Sequence, residues 1–510
     1  MRHRPYLWAT VAGVLTAVVS LLAPPNQPGQ PFVVYVVGEG VPEDRPLQQE
    51  SYKKGVTEQR PLSCKVSDED AKDGYEIWAG AEVAWRNLAE WNGSPPLFDL
   101  RGKNPALNRD TKDYKEKLSK DSNFLVKEDA KELLRKPEVL AVIGYPSSSA
   151  TQAAAQIYYQ GGIPLIMPVA TADTAVLAND KSLLTNCFRL PPSDSVGQAP
   201  AIANFINHQF ASSKVHIVSD ELIDHQGYSQ NLCRSIASYL NHPPHPKYPD
   251  AIFGDVEKDP QNVKTRSENI ANQINDDLDD LVIFCGYSGG KGAAKTFFEA
   301  LLKTGKHWRS GSPPTLIFSD AAVGLRTQDP DFQKNASKFS AVYIADFHNG
   351  GPRANPHSCV EDEGMAAALT GGSGQAPPNT VVTGSGEVQP HEPRPEVIDL
   401  ESAQRACSRA TAGPALAYDA VLILQEAVKE CSSDPKKGPI SRECLQRELE
   451  HEPTFVGMRS PYAFQNGDNV FGDYFLLCFG SKCKTPTCRI TTDEIVRTRM
   501  SQKTVLRGED

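Results

Sequence analysis

The chain has 510 residues, of which 39% are hydrophobic, 23% charged and 8% aromatic, enough apolar content for two or three domains of roughly 150 residues each. Fifty-three basic against 63 acidic residues leave a formal charge of −10. That balance excludes the basic face of a nucleic-acid binder and a polybasic membrane-surface protein.

The chain starts with Met1-Arg2-His3-Arg4, followed by an uncharged apolar run from Leu7 to Ala23 and then Pro24-Pro25. Its 17 residues lie at the lower edge of the ~17–25 that span a bilayer as a helix. The basic flank points to export, with everything from about Gln27 onward outside the cytoplasm. Cleavage and retention as an anchor both stay open. Leu21, three residues from a cut after Ala23, is a poor signal-peptide exit and tilts the choice toward an uncleaved anchor inserted in the membrane.

Phe32–Val37 is a continuous β-branched run, as a strand buried on both faces should be. Ile77, Ala81, Ala84, Leu88 and Trp91 recur at steps of three and four, which predicts an amphipathic helix over 75–91. Val139–Ile143 is the next strand, followed by a helix over 150–159, a strand at Pro164–Met167 and a short helix from Asp173. The rhythm repeats with Val215–Val218, a helix over 228–240, Leu281–Phe284, a helix over 291–304, Thr315–Phe318 and Ala341–Ile344. Strands alternating with helices predict parallel sheets covered on both faces. Three polar stretches interrupt the pattern, at 39–73, 94–135 and 348–412. The last is rich in Gly, Pro, His and Ser and reads as a flexible surface insertion. Regular structure resumes with a helix over 414–430 and the segment Tyr462–Phe479.

Eleven cysteines leave at least one unpaired. Cys285 ends an apolar run and reads as core. Cys359, Cys407, Cys431, Cys444, Cys478, Cys483 and Cys488 lie in polar or C-terminal stretches and are the better disulfide candidates. The Cys478, Cys483, Cys488 spacing lacks the paired C-x2-C of a zinc site. The histidines show no i, i+4 pairing on a helix, so no metal or cofactor is implied. Asn92-Gly-Ser94 and Asn335-Ala-Ser337 are glycosylation sequons, meaningful only in a secretory eukaryotic host.

Ile143-Gly-Tyr-Pro-Ser-Ser-Ser-Ala-Thr-Gln152, followed by Gly162-Ile-Pro-Leu-Ile-Met-Pro-Val-Ala-Thr-Ala-Asp173, resembles the first-lobe signature of ABC-transporter substrate-binding proteins of the leucine/isoleucine/valine-binding type. Further stretches match in order: Gly80–Ala84 leading to Asn92-Gly93, Phe188-Arg189-Leu190, Leu281–Tyr287, Ala417–Val421, and Phe455–Gly457 with Phe464–Asp468. The resemblance spans roughly 32–479 and implies the type I periplasmic binding protein fold. Ser147, Ser148, Ser149 and Thr151 lie between a strand's carboxyl end and a helix N-terminus, where free N–H groups and the helix dipole favour an anion. Ala170 and Thr171 end the next strand on the same edge, where open α/β sheets bind ligands. Helix capping alone is the competing account of the serines.

The second half departs from that family. Binders of α-amino acids usually carry an acid a few residues after a Gly-Tyr pair. Gly286-Tyr287-Ser-Gly-Gly290 has glycine there. A buried ammonium without a carboxylate is costly, so an ordinary branched-chain amino acid fits only if Asp320 or Asp224 supplies the charge. Tyr287 is a candidate aromatic wall, with packed core tyrosine as the alternative. Gly286-Tyr-Ser-Gly-Gly290 also does duty as a possible nucleophile elbow. Ser288 would then be the nucleophile, with Asp320 and His348 or His357 as partners. No Gly-rich oxyanion segment precedes it, and both histidines lie at or inside the insertion. A phosphate loop is excluded because Lys291 is followed by Gly292.

The expected architecture is α/β with two lobes, each a mostly parallel sheet flanked by helices, joined by several hinge crossovers. Residues 1–31 form the signal or anchor segment and tether. Residues 32–189 and 320–446 form the first lobe, 190–319 and 447–490 the second, and 491–510 the tail. The expected function is non-enzymatic. An extracytoplasmic protein would capture a small polar ligand (amino-acid-like, amide or small carboxylate) between the lobes for an ABC permease or another membrane partner. A membrane-tethered sensor or scaffold without tight binding is the main alternative, and a serine hydrolase using Ser288 a minor one.

Overall fold

The computed structural model describes residues 32–346 and 412–490 apart from interruptions, the longest at 43–73 and 106–120, and within 347–411 only the strands at 380–382 and 388–390. The apolar run at 7–23, most of the 348–412 insertion, His348, His357, Asn92 and Asp224 lie outside the described residues. Among the described residues no helix is long and apolar enough to cross a membrane.

Two seven-stranded sheets carry the chain. In the first, β1 (Val33–Val37), β2 (Asp99–Lys103), β3 (Val139–Ile143), β4 (Leu165–Met167) and β5 (Cys187–Arg189) run parallel, in the order β5-β4-β3-β1-β2. In the second, β6 (Val215–Glu221), β7 (Asp250–Phe253), β8 (Leu281–Cys285), β9 (Thr315–Phe318) and β10 (Ala341–Asp346) are parallel, in the order β10-β9-β8-β6-β7. Every residue of β1, β3 and β8 is buried, which is why their sequences are continuous apolar runs rather than alternating ones.

Helices cover both faces of each sheet. On the outer face of the first lie α2 (Phe124–Leu134) and α3 (Ser148–Gln160). On the outer face of the second lie α6 (Pro260–Asp277) and α7 (Ala294–Thr304). A continuous apolar cluster then joins the remaining faces of the two sheets. It includes residues of α1 (described between 77 and 88), α4 (Ala199–Gln209), α5 (Tyr228–Tyr239) and α8 (Ala412–Ser433). A further helix, α9 (Arg442–His451), packs on β3 and on the hairpin described next.

Several expectations need correction. The polar stretch 94–135 is not a break, since it holds β2 and α2. β2 is an edge strand, where charge is tolerated, and Lys103 reaches Glu132 of α2 at 3.1 Å. The expected allocation of segments also shifts. Ala341–Asp346 pairs with β9 in the second sheet, not the first. Conversely, the hairpin β11 (Phe464–Gln465) and β12 (Asp468–Asn469) joins β5 in the first. Its turn, Asn466-Gly467, needs positive φ at both residues (54° and 79°), and a Cβ on Gly467 would lie 2.1 Å from the Cys187 carbonyl oxygen. The missing side chain at 467 is what lets the Gly467 carbonyl accept the Arg189 N–H at 2.7 Å. β13 (Tyr474–Phe479) then returns to the second sheet, antiparallel to β10.

Cys431 and Cys444 form a disulfide, and Cys478 is also disulfide-bonded, as their polar context predicted. Cys285 is corrected from simple core residue to a bridge with Cys233 that ties β8 to α5. Cys187 is a buried free thiol. Closing a chain of 52 residues against one of 13 removes more unfolded-state entropy, about 4 against 3 kcal/mol. Alanine at both Cys233 and Cys285 should therefore lower unfolding free energy more than alanine at both Cys431 and Cys444. Denaturant titration of the two double variants checks the order, and equal or reversed losses refute it.

Candidate functional site

Thr171 and Asp194, which follow β4 and β5 of the first sheet, come together with Asp320, which follows β9 of the second, at the chain's first crossing between sheets. Ser147 ends the loop after β3 in extended conformation and caps α3, its Oγ accepting the Ala150 N–H at 3.3 Å. Ser148 Oγ accepts the Ala172 N–H at 3.3 Å, joining the loops after β3 and β4. Ser149 Oγ lies 3.4 Å from Ser147 Oγ. The fully buried Thr151 donates its hydroxyl to the Ser147 carbonyl at 2.8 Å and accepts the Tyr145 N–H. Capping therefore accounts for Ser147 and Thr151. The first turn of α3, at the carboxyl end of β3, carries the N–H groups and the positive end of the helix dipole.

Ala170 and Thr171 are buried at the end of the β4 loop. The Thr171 carbonyl accepts the Asp194 N–H at 2.9 Å and a bond from the Arg189 guanidinium. Arg189 is fully buried, and its Nε lies 3.1 Å from Asp468 Oδ1. It thus ties β5, the Thr171 loop and β12 together. Asp194 opens a π-helical turn, Asp194–Gln198, that leads into α4. Such turns recur at functional sites because the extra residue redirects side chains.

From the second sheet, Asp320 follows β9. Its Oδ1 accepts the Ala321 N–H at 2.8 Å and the Tyr228 hydroxyl. The Tyr228 and Tyr287 rings stand 5.1 Å apart. Thr171 and Asp320, both foreseen, are therefore brought together, and Tyr287 joins them through Tyr228. Asp194 is the link, and the sequence reading missed it along with Gln198, Tyr228 and Arg189. Two signals were available: the Pro191-Pro192 pair just before Asp194 at the crossover, and the Gly227-Tyr228 pair.

The electrostatics of this cluster are one-sided. Burial raises the Asp194 carboxyl well above the ordinary aspartate range, and the neighbouring Asp320 and Asp173 raise it further. Arg189 and the Thr171 side chain oppose the shift. Burial also raises Asp320, against the Tyr228 hydroxyl, the Gln198 side chain and the Ala321 N–H. Tyr228 and Tyr287 are pushed well above the ordinary phenol value, first by burial and then by these acids. Among the described residues Asp194 Oδ1, Ser193 Oγ and Ser229 Oγ are buried without a hydrogen-bond partner. Buried polar atoms of that kind usually meet a ligand or water. The arrangement suits a small molecule with a cationic group at the acids and an anionic or polar group at α3.

Ser288 is nearly buried and donates its hydroxyl toward the Ala321 carbonyl at 3.4 Å. That partner cannot take its proton, so the nucleophile-elbow reading gains no base among the described residues. Cys431, Cys444 and Glu448 lie close enough to hold a metal, but the two sulfurs are spent on their disulfide.

Residues 103–469 match the family described as the receptor family ligand binding region. The chain belongs to that family. No curated protein matches it by sequence. Among solved structures it is similar to the branched-chain amino acid transporter substrate-binding protein LivJ of Streptococcus pneumoniae, in complex with isoleucine, with TM-score 0.56 at 14% identity over 91% of this chain and 100% of that one. The leucine-binding protein LivK of Thermotoga maritima gives 0.54 at 14% over 91% and 100%. A solute-binding protein of an R. palustris ABC transporter, in complex with benzoate, gives 0.53 at 15% over 91% and 96%. At such identities the likeness establishes the two-lobed type I periplasmic binding fold. It leaves the occupant of this receptor-family cleft to be argued from the residues.

Proposed function

We propose that the chain is an extracytoplasmic binding protein that captures a small amine-bearing solute, amino-acid-like or an amide, between its two lobes. Membership of a ligand-binding family supports the reading, and so do neighbours that are substrate-binding proteins holding isoleucine or benzoate. The observation that carries it is the meeting of Asp194 and Asp320, two buried carboxylates from opposite sides of the first crossover, with unpartnered polar atoms beside them. An ammonium between them would relieve their mutual repulsion, which an isosteric neutral ligand would not. The acid absent at Gly290 is thereby replaced from other strands. A carboxylate or amide on the same solute would take the N–H groups at the start of α3, near Ser148 and Thr171. Tyr287 and Tyr228 would form its wall. The apolar run at 7–23 would place the protein outside the cytoplasm, cleaved or tethered, where an ABC permease or another membrane partner reads closure of the lobes.

A second reading, a tethered sensor or scaffold that binds no solute tightly, is favoured by one feature. Tyr228 and Thr171 already engage the two acids with the protein's own groups. Thermal unfolding against amino acids, amides, amines and small carboxylates separates the two. Amine-bearing compounds should raise the midpoint by several degrees at millimolar concentration. No shift with any compound overturns the binding reading in favour of the scaffold.

A further inference from the structure

We infer that Asp220 is a positioning residue of this site: its buried carboxylate holds both ends of the loop 287–293 and so sets where Tyr287 stands. The inference rests on the reading of Tyr287 as a wall of the solute cleft. Asp220 sits near the carboxyl end of β6, is 2% exposed and touches no solute itself in the proposed geometry. Its Oδ2 accepts the Ala293 N–H at 2.9 Å and the Tyr287 N–H at 3.3 Å. Those amides bracket the loop, and the Tyr287 carbonyl accepts the Ala294 N–H at 3.0 Å to complete the ring. The approach is close enough to require glycine at 286, where a Cβ would lie 2.3 Å from that of Asp220. Ser319 holds the other side, its Oγ accepting the Gly286 N–H at 3.0 Å. Ser288 is held as well, its N–H donating to the Ala321 carbonyl at 3.1 Å, while a single Asp220 oxygen joins Tyr287 to Ala293. The second oxygen, Oδ1, is buried without a partner among the described residues.

The charge state of Asp220 changes near neutrality. Burial pushes its carboxyl up to about 7, against the two N–H bonds, and Glu221 on the same strand adds to the rise. Tyr287 faces it from the loop and is neutral over this range. Asp194 and Asp320 also act on Tyr287. An ionised carboxylate accepts N–H bonds more strongly than a neutral carboxyl. The ring should therefore tighten as pH rises through about 7 and slacken below it.

Hydrogen exchange on the full chain without ligand, corrected for intrinsic rates, reads the clasp directly. Protection of the Tyr287 and Ala293 amides should be severalfold higher at pH 8 than at pH 6. Asp220→Asn retains an oxygen acceptor without the charge, so its protection should not vary with pH. Asp220→Ala should lose about tenfold at either pH, the loss of one to two hydrogen bonds, and bind the best amine of the thermal screen about tenfold more weakly. If the alanine variant does not fold, the flat profile of Asp220→Asn against the sloping wild type still decides. Unchanged protection in Asp220→Ala, or a wild-type profile as flat as that of asparagine, overturns the clasp. A clasp that behaves as expected in a protein that binds no amine overturns the proposed function instead and leaves the positioning role standing.

Discussion

Asp194→Asn and Asp320→Asn are each expected to raise the unfolding midpoint of the unliganded protein at pH 7 and to weaken binding of the amine proposed as its ligand. Both carboxyls are held above their ordinary value of 3.8 by burial. A raised folded-state value means the folded chain binds protons the unfolded chain has released. Their contribution is therefore fully present below pH 3.8 and is lost as pH rises through the folded values. At pH 7 the unliganded cleft carries that loss, and a neutral isostere removes it. The gain should be about 1 kcal/mol for either substitution, typical of relieving strain at a functional site. Binding should move the opposite way. Removing one partner of a desolvated charge pair costs about 2–5 kcal/mol, roughly thirtyfold or more in Kd. Thermal unfolding from pH 4 to 8 and titration calorimetry with the best amine of the screen measure the two effects. A lowered midpoint at pH 7, or an unchanged Kd, removes these acids from the role assigned to them.

The opposition of stability and binding explains which parts of this molecule were legible in the sequence. Strands buried on both faces, such as Val33–Val37 and Leu281–Cys285, announce themselves because nothing polar can be tolerated along them. Edge elements do not. Asp99–Lys103 pairs on one side only, and Lys103 reaches Asp129 and Glu132 of the neighbouring helix, so its sequence reads as a loop. Helix α6 shows only a thin stripe, Val263, Ile270, Ala271 and Ile274, on a charged background. It was passed over for that reason. The Cys233–Cys285 bridge was hidden because its two residues sit in apolar surroundings, where a thiol reads as core.

At the site the same division holds. Ser148 and Thr171 were legible because each follows a strand and precedes a helical turn, a local signature. The partnership of Asp194 with Asp320 is not local. It depends on the crossover from β5 bringing a π-helical turn opposite the end of β9. No spacing along the chain encodes that meeting, and the family pattern pointed to position 290, where this chain has glycine. Asp220 escaped notice for a further reason: its partners are backbone N–H groups, which carry no sequence signal at all.

Arg442→Ala is expected to cost about 3 kcal/mol of stability while leaving solute affinity nearly unchanged. The guanidinium, at the first residue of α9, donates from Nε to the Val139 carbonyl at 2.8 Å, from Nη2 to that of Lys136 at 2.8 Å and from Nη1 to that of Gly161 at 3.2 Å. Burial lowers its pKa, with Glu443 and Glu138 opposing, yet an arginine stays charged under these conditions. Each buried acceptor stranded by its removal costs about 1–3 kcal/mol, less where water can follow. Arg442→Lys should recover less than half, because a compact ammonium lacks the planar fork that reaches the 136–139 turn and Gly161 at once. Solute affinity should be spared for a geometric reason. Val139 starts β3 and Gly161 follows the end of α3, so the clamp grips the ends of both elements remote from Ser147 to Thr151. Denaturant unfolding gives the first quantity and calorimetry the second. A loss below about 1 kcal/mol, under the cost of a single stranded acceptor, would mean that water replaces the guanidinium. A Kd weakened as steeply as the stability would mean that the clamp is coupled to the cleft through the length of α3.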